Sequence, residues 1–406
     1  MSWQNTVRRV VPYVAGEQPK DPGIIKLNTN ECPYPPSPAV AAAMRQAADD
    51  AARFRLYPDM DATPLVNALA ARYGVAPEQI FVGVGSDDVL SMSFLTFFTG
   101  GGTLLFPDIT YSFYDVWADL YRIPYRRVPL KSDFTIDPED YISSGTITFP
   151  PSRMAEAENT PRSAHGAAPA AGTPGKGEAA NAAPSAGPAA PDPAGAPDIC
   201  GIVFPNPNAP TGAELPQDAI ERIVAANRDK VVIVDEAYID FGGTSALPLL
   251  KKYDNLLIVQ TFSKSRAMAG ARIGFAIGNP ELIGYLKDVK FSFNSYTMSY
   301  PAILAGTAAV QDERYFAEIT GRIVETRERF KGELRALGFE FPDSKANFVF
   351  ARRPGMSGQT LYDALRARNI LVRHWEKPRI ADYLRITIGT DAQMDAVTAA
   401  LKEILG

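Results

Sequence analysis

The chain has 406 residues, 46% hydrophobic and 21% charged, and its 41 Lys and Arg against 46 Asp and Glu give a formal net charge of −5. These values are ordinary for a soluble globular protein with a large core, and the acidic balance argues against a nucleic-acid or anionic-membrane binder. Two cysteines and two histidines are too few for a disulfide framework or a Cys/His metal cluster. No apolar run is long enough for a transmembrane helix, and the N-terminus lacks the apolar core of a secretory signal, so we expect a cytoplasmic protein.

Helix and strand signals alternate along the first part of the chain. Ser37-Pro38 and Thr63-Pro64 each combine an N-cap residue with a proline at the first helical position, and Gly74 is suited to end the second helix. Short apolar runs predict strands, and longer apolar-rich segments predict helices between them. The predicted strands are 80–84, 103–106 and 125–128, and the predicted helices after the first two are about 86–99 and 111–120.

Residues 151–197 differ from the rest in composition. They consist of Ala, Pro, Gly, Ser and scattered charges, without any Val, Ile, Leu or aromatic residue. Such a segment buries too little apolar area to offset the entropy lost on ordering it. Because strand-like sequence lies on both sides, at 141–149 and 199–204, we interpret the segment as a flexible insertion within one domain. A linker between independent domains is the alternative.

The second part of the chain predicts two structural units. Continuous apolar runs after the insertion predict buried strands of a parallel sheet with helices on both faces. These strands are 199–204, 231–234, 256–259 and 272–277, with a helix over 216–227. Beyond about residue 291 a long charged helix, 312–337, begins a smaller α+β unit. Its other predicted elements are strands 346–350, 370–373 and 383–388, a helix near 359–368 and a final helix.

The predicted fold class is therefore α/β. It combines a large domain, built on a mostly parallel central sheet covered by helices on both faces, with a smaller α+β domain. The predicted boundaries assign 1–30 to an N-terminal arm that forms part of the small domain. Residues 31–290 form the large domain with the insertion 151–197, and 291–406 form the small domain.

Asp235 and Lys264 are the most informative pair of charged residues. Each follows a predicted strand, in the segments VVIVDEAY and LLIVQTFSK. Ligands of open parallel sheets bind outside the carboxyl ends of the strands, so these two side chains are expected to converge on one ligand. Either residue alone is more often a solvated charge at the start of a loop.

The order of short motifs makes coincidence less plausible. The motifs are LNTNE (27–31), GVGSDD (83–88), PNAPTG (207–212), DEAY (235–238), SKSRAMAGARIGF (263–275) and LRITIG (384–389). Together they resemble the aspartate-aminotransferase fold family of pyridoxal-phosphate enzymes, and within it the histidinol-phosphate aminotransferase family. The resemblance covers nearly the whole chain except 151–197, and it is more specific for fold and cofactor than for substrate.

The resemblance implies three catalytic residues. Lys264 would join the cofactor aldehyde and then carry a proton between the substrate Cα and the cofactor. Asp235 would pair with the ring nitrogen and keep it protonated, which makes the ring an electron sink. Tyr238 would place its hydroxyl near the ring oxygen.

The resemblance also implies a set of cofactor contacts. The Gly85-Ser86-Asp87 turn before a helix suits a phosphate, because amide N–H groups and the helix dipole point at an anion there. The other implied contacts are Ser263 and Arg272 at the phosphate, Tyr111 stacked on the ring, and Tyr57 reaching the cofactor phosphate of a neighbouring subunit. If Tyr57 has that role, the active sites are shared within a homodimer.

One position departs from the family pattern. Where the family commonly has Asn before Pro-Thr-Gly, this chain has Ala209, and Asn208 is the candidate to take over its hydrogen bond to the ring oxygen. The implied substrate contacts are Arg385 and Arg373 for the substrate anion, with Tyr13 and Asn30 lining the pocket. Arg385 lies in an apolar run, where an unpaired charge would be costly.

The function implied is transamination of L-histidinol phosphate with 2-oxoglutarate, giving imidazole acetol phosphate and glutamate, with pyridoxal 5'-phosphate as cofactor. An aromatic or broad-specificity aminotransferase and a phosphothreonine decarboxylase are alternatives. From another class, a catalytically silent pyridoxal-phosphate-binding regulatory module remains, although it would not need Lys264, Asp235 and Arg385 together. The expected partners are small molecules and a second copy of the chain, with no metal, nucleic acid or membrane.

Overall fold

A computed structural model describes residues 2–142 and 198–406. The strands in these ranges are β1 (Ile25–Lys26), β2 (Ile80–Gly83), β3 (Thr103–Pro107), β4 (Tyr125–Val128), β5 (Ile199–Pro205), β6 (Val231–Asp235), β7 (Leu256–Thr261), β8 (Gly274–Gly278), β9 (Phe348–Arg352), β10 (Ile370–Leu371), β11 (Arg373–His374) and β12 (Tyr383–Thr387). The predicted insertion 151–197 lies outside the described residues.

The helices surround these strands. They are α1 (Pro38–Asp49), α2 (Thr63–Tyr73), α3 (Ser86–Phe97), α4 (Phe113–Tyr121), α5 (Glu139–Ile142), α6 (Gln217–Ala226), α7 (Pro280–Phe293), α8 (Tyr300–Gln311), α9 (Glu313–Ala336), α10 (Gly358–Arg366) and α11 (Asp391–Leu405). Short 3₁₀ turns occur at Trp3–Asn5, Ala51–Arg55, Pro77–Gln79, Ile239–Phe241, Leu247–Lys251 and Ala269–Ala271. None of the described helices is both long and apolar enough to cross a membrane.

A seven-stranded sheet forms the centre of the molecule, in the order β2-β8-β7-β6-β5-β3-β4. The strands from β7 to β4 pair in parallel, and β8 pairs antiparallel with both of its neighbours. Successive side chains of one strand enter different core clusters: Val232 and Val234 join one, and Ile233 joins another. Both faces of the sheet are therefore buried, which explains the continuous apolar runs and confirms the predicted α/β class.

Strand β8 reverses direction because its connection to β7 is short. Residues 262–273 contain a single 3₁₀ turn and no crossover helix, which a parallel partner would need. Consequently this connection leaves the carboxyl end of β7 and enters β8 at the same edge of the sheet. Strand β2 pairs with β8 so that Gly83 lies opposite Gly274. The turn after β2 and the segment 262–273 thus meet at one edge.

A smaller three-stranded antiparallel sheet, in the order β11-β12-β9, lies in the C-terminal part. Arg373 and Arg385 are direct partners across β11 and β12. Strand β1 pairs in parallel with β10, so the N-terminal segment is joined to this C-terminal unit. That pairing brings residues 27–31 towards the large sheet.

The structure corrects several local predictions. Part of the strand predicted at 141–149 is instead α5, because Pro138 follows Asp137, whose side chain accepts from the amide of Glu139; residues 143–149 lie outside the description. Ser37 caps α1 as predicted, whereas Thr63 is the first residue of α2, the N-cap position is Ala62, and the Asp59 side chain accepts from the Thr63 amide at 2.8 Å. Helices α7 and α8 were not predicted, although Asn279 and Ser299 cap them and each has a proline in its first turn.

Candidate active site

Two adjoining cavities lie at the carboxyl edge of the large sheet. The strand-end cavity has a volume of about 190 Å³ and is lined by residues including Ser86, Asp87, Asp235, Ser263 and Arg272. The arginine cavity, about 170 Å³, is lined by residues including Tyr13, Asn30, Arg373, Trp375 and Arg385. Five residues line both cavities: Thr29, Tyr111, Ala209, Tyr238 and Lys264. The predicted catalytic lysine thus lies where the two cavities meet.

Among the five residues that line both cavities, Lys264 is the one that carries an amine. Its Nζ donates a hydrogen bond to the carbonyl oxygen of Thr29 at 3.1 Å. Burial, reinforced by the positive charge of Arg385, lowers the pKa of Lys264 to about 8. A substantial fraction of the amine is therefore neutral near physiological pH, as a nucleophile and proton carrier requires.

Asp235 ends β6 with its carboxylate on the strand-end cavity and is 4% exposed. Tyr114 donates its hydroxyl proton to Oδ2 at 2.9 Å, and the Ala237 amide donates to Oδ1 at 3.2 Å. Burial raises the pKa of Asp235 to about 6, although both hydrogen bonds oppose that shift. Such a carboxylate is ionised at neutral pH and gains from a cationic partner in the cavity.

Tyr238 packs between the two sheets and is hydrogen bonded at its hydroxyl. The Asn30 side-chain Nδ2 donates to the Tyr238 oxygen at 2.9 Å, and the Lys264 Nζ lies 5.9 Å from the Tyr238 ring centroid. Burial raises the pKa of Tyr238, so the hydroxyl keeps its proton at neutral pH. It can donate that proton to an acceptor in either cavity.

The turn after β2 and the start of β8 form a cradle for an anion. Gly85 has a φ of +89°, and a Cβ there would lie 2.4 Å from Nη2 of Arg272. Arg272 in turn lies 3.1 Å from the Asp87 carboxylate and 3.5 Å from the Ser263 hydroxyl. Helix α3 begins at Ser86, so amide donors point into the same cradle. Five of the six predicted phosphate contacts, all except Tyr57, are brought together here.

The residues of the strand-end cavity fit pyridoxal 5'-phosphate. The glycine cradle with Arg272 suits the phosphate, the buried carboxylate of Asp235 suits a protonated ring nitrogen, and Lys264 suits an aldehyde. Asp235 has no salt-bridge partner among the described residues, so a cationic ring nitrogen would supply one. Within the described ranges there is no group of three residues suited to a metal ion.

Tyr111 lines both cavities, as expected for a residue that faces a ring. Its hydroxyl donates to Asp87 Oδ1 at 2.7 Å, which fixes the phenol at the side of the strand-end cavity. The ring is backed by Trp117 at a centroid distance of 6.2 Å. The stacking role therefore stays a prediction that this geometry permits.

Asn208, the predicted contact to the ring oxygen, directs its amide into its own loop. Its side chain is 2% exposed and donates to the carbonyl of Ile109 and to the Thr211 hydroxyl, both at 3.0 Å. The amide oxygen accepts from Thr110 at 3.3 Å. These bonds hold the loop closed, and Asn208 does not line either cavity, whereas Ala209 lines both. The residue with an amide on the Tyr238 hydroxyl is Asn30 instead.

Tyr57 lies outside both cavities of a single chain. It is 80% exposed, and its ring stacks on Tyr296 with centroids 4.5 Å apart. A role in the active site therefore requires a second subunit, as predicted from the sequence.

The arginine cavity carries two cations on paired strand positions. Arg385 donates through Nη2 to the carbonyl of Asn28 at 2.9 Å, while its buried Nε has no hydrogen-bond partner. Its guanidinium lies over the rings of Phe348 and Trp375, 5.3 and 5.2 Å from the centroids. Burial lowers the pKa of Arg385, and the nearby charge of Arg373 adds to the effect. Neither arginine has a salt-bridge partner among the described residues, so an anion would relieve both.

Aromatic and N-terminal residues close this cavity. Tyr13 lines it and stacks on Phe113 with centroids 4.2 Å apart, and Asn30 lines it beside Tyr238. Sequence reasoning missed the lining role of Lys377 and the contact from Tyr114 to Asp235. Neither residue belongs to a recognisable motif, and only the tertiary contact reveals it.

Comparison with known proteins agrees with this geometry. The sequence profile of the aminotransferase class I and II family matches residues 22–146 and 188–401, and the chain belongs to that family. Proteins of this class depend on pyridoxal 5'-phosphate, so the cofactor predicted from the sequence is confirmed.

The similar curated proteins are more specific. The chain is 46% identical to histidinol-phosphate aminotransferase 2 of Dechloromonas aromatica, over 100% of this chain and 99% of that protein. It is 48% identical to histidinol-phosphate aminotransferase 1 of Bordetella parapertussis, over 99% and 98%. The solved histidinol-phosphate aminotransferase of Sinorhizobium meliloti in complex with pyridoxal-5'-phosphate matches with a TM-score of 0.73 at 23% identity, covering 94% of this chain and 90% of that one. That structural match confirms the aspartate-aminotransferase-like fold.

Proposed function

We propose that this protein transfers the amino group of L-histidinol phosphate to 2-oxoglutarate, in histidine biosynthesis. The observation that carries the proposal is the pair Arg373 and Arg385, which face each other on neighbouring strands beside Lys264 without an anionic partner among the described residues. Like charges directly opposite on a sheet are destabilising, so the pair is expected to bind an anion of high charge. A phosphate monoester carries about −1.5 to −2 at neutral pH.

The same arginines serve both half-reactions. Histidinol phosphate has its phosphate at the position where glutamate has its α-carboxylate, and guanidinium groups bind either anion through paired hydrogen bonds. Arg373 and Arg385 both line the cavity, so their guanidinium groups are placed to make such contacts. One cationic cavity can therefore accept the two substrates in turn.

The bound cofactor supplies the electron sink for the pair of electrons left at the substrate Cα. Lys264 Nζ would take the proton from the substrate Cα and deliver it to the cofactor carbon that carries the aldehyde. Asp235 holds the ring-nitrogen proton in place, and Tyr238 donates its hydroxyl proton towards the ring oxygen. The cradle at Gly85 and Arg272 anchors the phosphate so that these groups act on fixed atoms.

A second candidate is an aromatic or broad-specificity aminotransferase. Tyr13, Tyr111 and Trp375 line the arginine cavity and would pack on an aromatic substrate side chain. The imidazole ring of histidinol phosphate would pack on the same surfaces. The two candidate functions therefore differ in the anionic group of the substrate, which is a phosphate in one and a carboxylate in the other.

A half-reaction screen tests the substrate. The purified holoenzyme is mixed with histidinol phosphate, histidinol, phenylalanine, tyrosine or phosphothreonine, and the change in cofactor absorbance is followed in a single turnover. We expect histidinol phosphate to react fastest and histidinol to react poorly. A much faster reaction with phenylalanine or tyrosine would replace this function with the aromatic one, and decarboxylation of phosphothreonine would favour the third alternative.

We propose further that the protein works in the cytoplasm as a homodimer with shared active sites. Support comes from a patch of exposed apolar side chains around Tyr57. The patch comprises Phe54, Leu56, Tyr57, Phe293 and Tyr296. Surfaces of this kind mark protein–protein contacts.

Complementation tests the shared site. Chains inactivated by Lys264→Ala are mixed with chains inactivated at Tyr57, and hybrid dimers are purified with two affinity tags. Each hybrid would contain one site with both residues intact, so partial activity is expected. Inactive hybrids that are shown to form would mean that each site is built from a single chain.

The domain boundaries predicted from the sequence remain a proposal. They are supported by the location of the seven-stranded sheet within residues 80–278 and of the three-stranded sheet within 348–387. The pairing of β1 with β10 supports assigning the N-terminal arm to the small domain. The substrate would then bind between the two domains.

A further inference from the structure

The hydroxyl of Tyr114 is buried in an aromatic environment. The residue is 0% exposed, and its ring packs against Phe94, Phe106 and Trp117 with centroid distances of 6.1, 5.9 and 6.3 Å. A phenylalanine would fill this space without burying a polar atom, which is costly when unpaired. The partner that makes a tyrosine acceptable is Asp235, whose Oδ2 accepts the hydroxyl proton at 2.9 Å.

This bond fixes the orientation of the Asp235 carboxylate. One donor acts on each oxygen: the Tyr114 hydroxyl on Oδ2 and the Ala237 amide on Oδ1. With both oxygens held, the carboxylate cannot rotate about its Cβ–Cγ bond without breaking a hydrogen bond. The donors leave acceptor capacity free towards the strand-end cavity, which Asp235 also lines.

The charges around Asp235 show why a donor is needed. Burial and the nearby Asp87 carboxylate raise the pKa of Asp235, and the hydrogen bonds from Tyr114 and Ala237 lower it. Tyr114 lies on α4, Asp87 on α3, Ala237 in the loop after β6, and Lys264 faces the same cavity from the loop after β7. Of these groups, Tyr114 is the side chain that donates directly to the carboxylate.

We propose that Tyr114 is a positioning residue, which holds Asp235 ionised and directed at the ring nitrogen of pyridoxal 5'-phosphate. The inference rests on the cofactor of the family and is independent of which amino donor the enzyme uses. Tyr114 touches neither substrate nor cofactor in this role, since it lines neither cavity. It acts through one oxygen of Asp235.

The test compares two cofactors in the full-length apoenzyme of Tyr114→Phe. One is pyridoxal 5'-phosphate, and the other is its 1-deaza analogue, in which carbon replaces the ring nitrogen. Loss of a hydrogen bond to a charged group should weaken binding of the natural cofactor about tenfold. Binding of the analogue should change less than about twofold, because it offers Asp235 no ring proton. Titration by cofactor absorbance and tyrosine fluorescence measures both constants.

Two control variants separate this role from packing. Tyr121→Phe removes a hydroxyl from the same helix, where it lies 2.7 Å from the Ser91 hydroxyl. Phe94→Leu disturbs the packing of the Tyr114 ring while leaving its hydroxyl in place. Neither variant should change the ratio of the two binding constants. If Tyr114→Phe weakens both cofactors equally, or neither, the positioning role is refuted.

A double variant measures whether the effect runs through the carboxylate. In an Asp235→Asn background, Tyr114→Phe should cost less than about twofold in cofactor affinity, because the charged acceptor is already gone. An undiminished tenfold loss there would overturn the proposal. If Tyr114→Phe cannot be recovered folded, Tyr114→His is the second variant: its imidazole N–H can still donate to Asp235, so the ratio of the two binding constants should stay that of the wild type. A ratio that falls to that of Asp235→Asn, although the donor is kept, would overturn the proposal.

Discussion

The two cavities differ in how their charges are arranged. In the strand-end cavity, the cation Arg272 is already paired with Asp87 at 3.1 Å, and Asp235 has a hydrogen-bond donor on each oxygen. In the arginine cavity, Arg373 and Arg385 face each other across two strands without a carboxylate partner among the described residues. One site is organised before a ligand binds, whereas the other needs its ligand to balance its charge.

We interpret this difference as a division of roles: the strand-end cavity retains the cofactor, and the arginine cavity exchanges substrates. A cofactor site built on the ends of several strands has rigid supports and internally satisfied polar groups, which reduce the cost of binding. A cationic cavity whose arginines have no carboxylate partners can bind one substrate anion, release it and then bind another. The contrast predicts that substitutions in the strand-end cavity alter attachment of the cofactor and that substitutions in the arginine cavity alter substrate selection.

The largest effect is expected for Lys264→Ala. The side chain is the amine shared by both cavities, so turnover should fall below detection and covalent attachment of cofactor should be lost. Borohydride reduction followed by mass spectrometry measures attachment. A reducible adduct retained on the variant would show that another amine joins the cofactor, and exposed Lys251→Ala serves as the control that should behave as wild type.

Arg385→Leu should affect mainly substrate binding in the arginine cavity. Removing one charge-assisted partner of a desolvated anion costs on the order of 2–5 kcal/mol, so both half-reactions should slow by a factor on the order of 10² or more. Attachment of the cofactor should change little. The apoenzyme should become more stable to heat, because the like charge opposite Arg373 is removed.

Single-turnover rates and melting temperatures of the Arg385 variant are the measurements. Arg352→Leu on β9 is the matched control, since Arg352 is paired with Glu340 at the surface and does not line either cavity. Loss of cofactor attachment in Arg385→Leu, with unchanged half-reaction rates in the fraction that still carries cofactor, would reverse the assignment of the two cavities.

A smaller effect follows from the pKa of Lys264, which burial lowers to about 8. The neutral amine is the nucleophile, so attachment of cofactor to the apoenzyme should accelerate about tenfold per pH unit below 8 and level off above it. Stopped-flow absorbance measures this rate. A simple alkylamine should keep accelerating to above pH 10. A plateau of the apoenzyme near pH 10 would mean that the cavity does not lower the pKa of this lysine.

The smallest effect is expected outside both cavities. The family profile leaves residues 147–187 unmatched, and residues 151–197 have no large apolar side chains to add to a core. Replacing 151–197 by a short Gly/Ser turn should therefore leave activity and melting temperature nearly unchanged. A fall of many degrees in melting temperature would show that the segment stabilises the folded enzyme.

Much of the strand-end cavity could be predicted because its residues directly follow buried strands. Asp235 and Lys264 were identified from apolar runs that end in a charge, and the carboxyl ends of parallel strands meet at one edge. The reversal of β8 was not predicted, since an apolar run does not encode its direction. The hydrogen bonds of the Asn208 amide within its own loop could not be predicted either, because its neighbours in the motif do not reveal which way the amide points.

The sequence by itself determined the fold class and the residue types at the strand ends, because buried strands leave local patterns along the chain. The order of its motifs, through their resemblance to a known family, also indicated the cofactor. Only the tertiary structure decided that Arg373 opposes Arg385, that Asn30 contacts Tyr238, and that Tyr114 supports Asp235. Two of these contacts, Asn30 with Tyr238 and Tyr114 with Asp235, join segments far apart in sequence, and the third depends on the register of two neighbouring strands. Their geometry depends on strand register and helix packing, which no local pattern specifies.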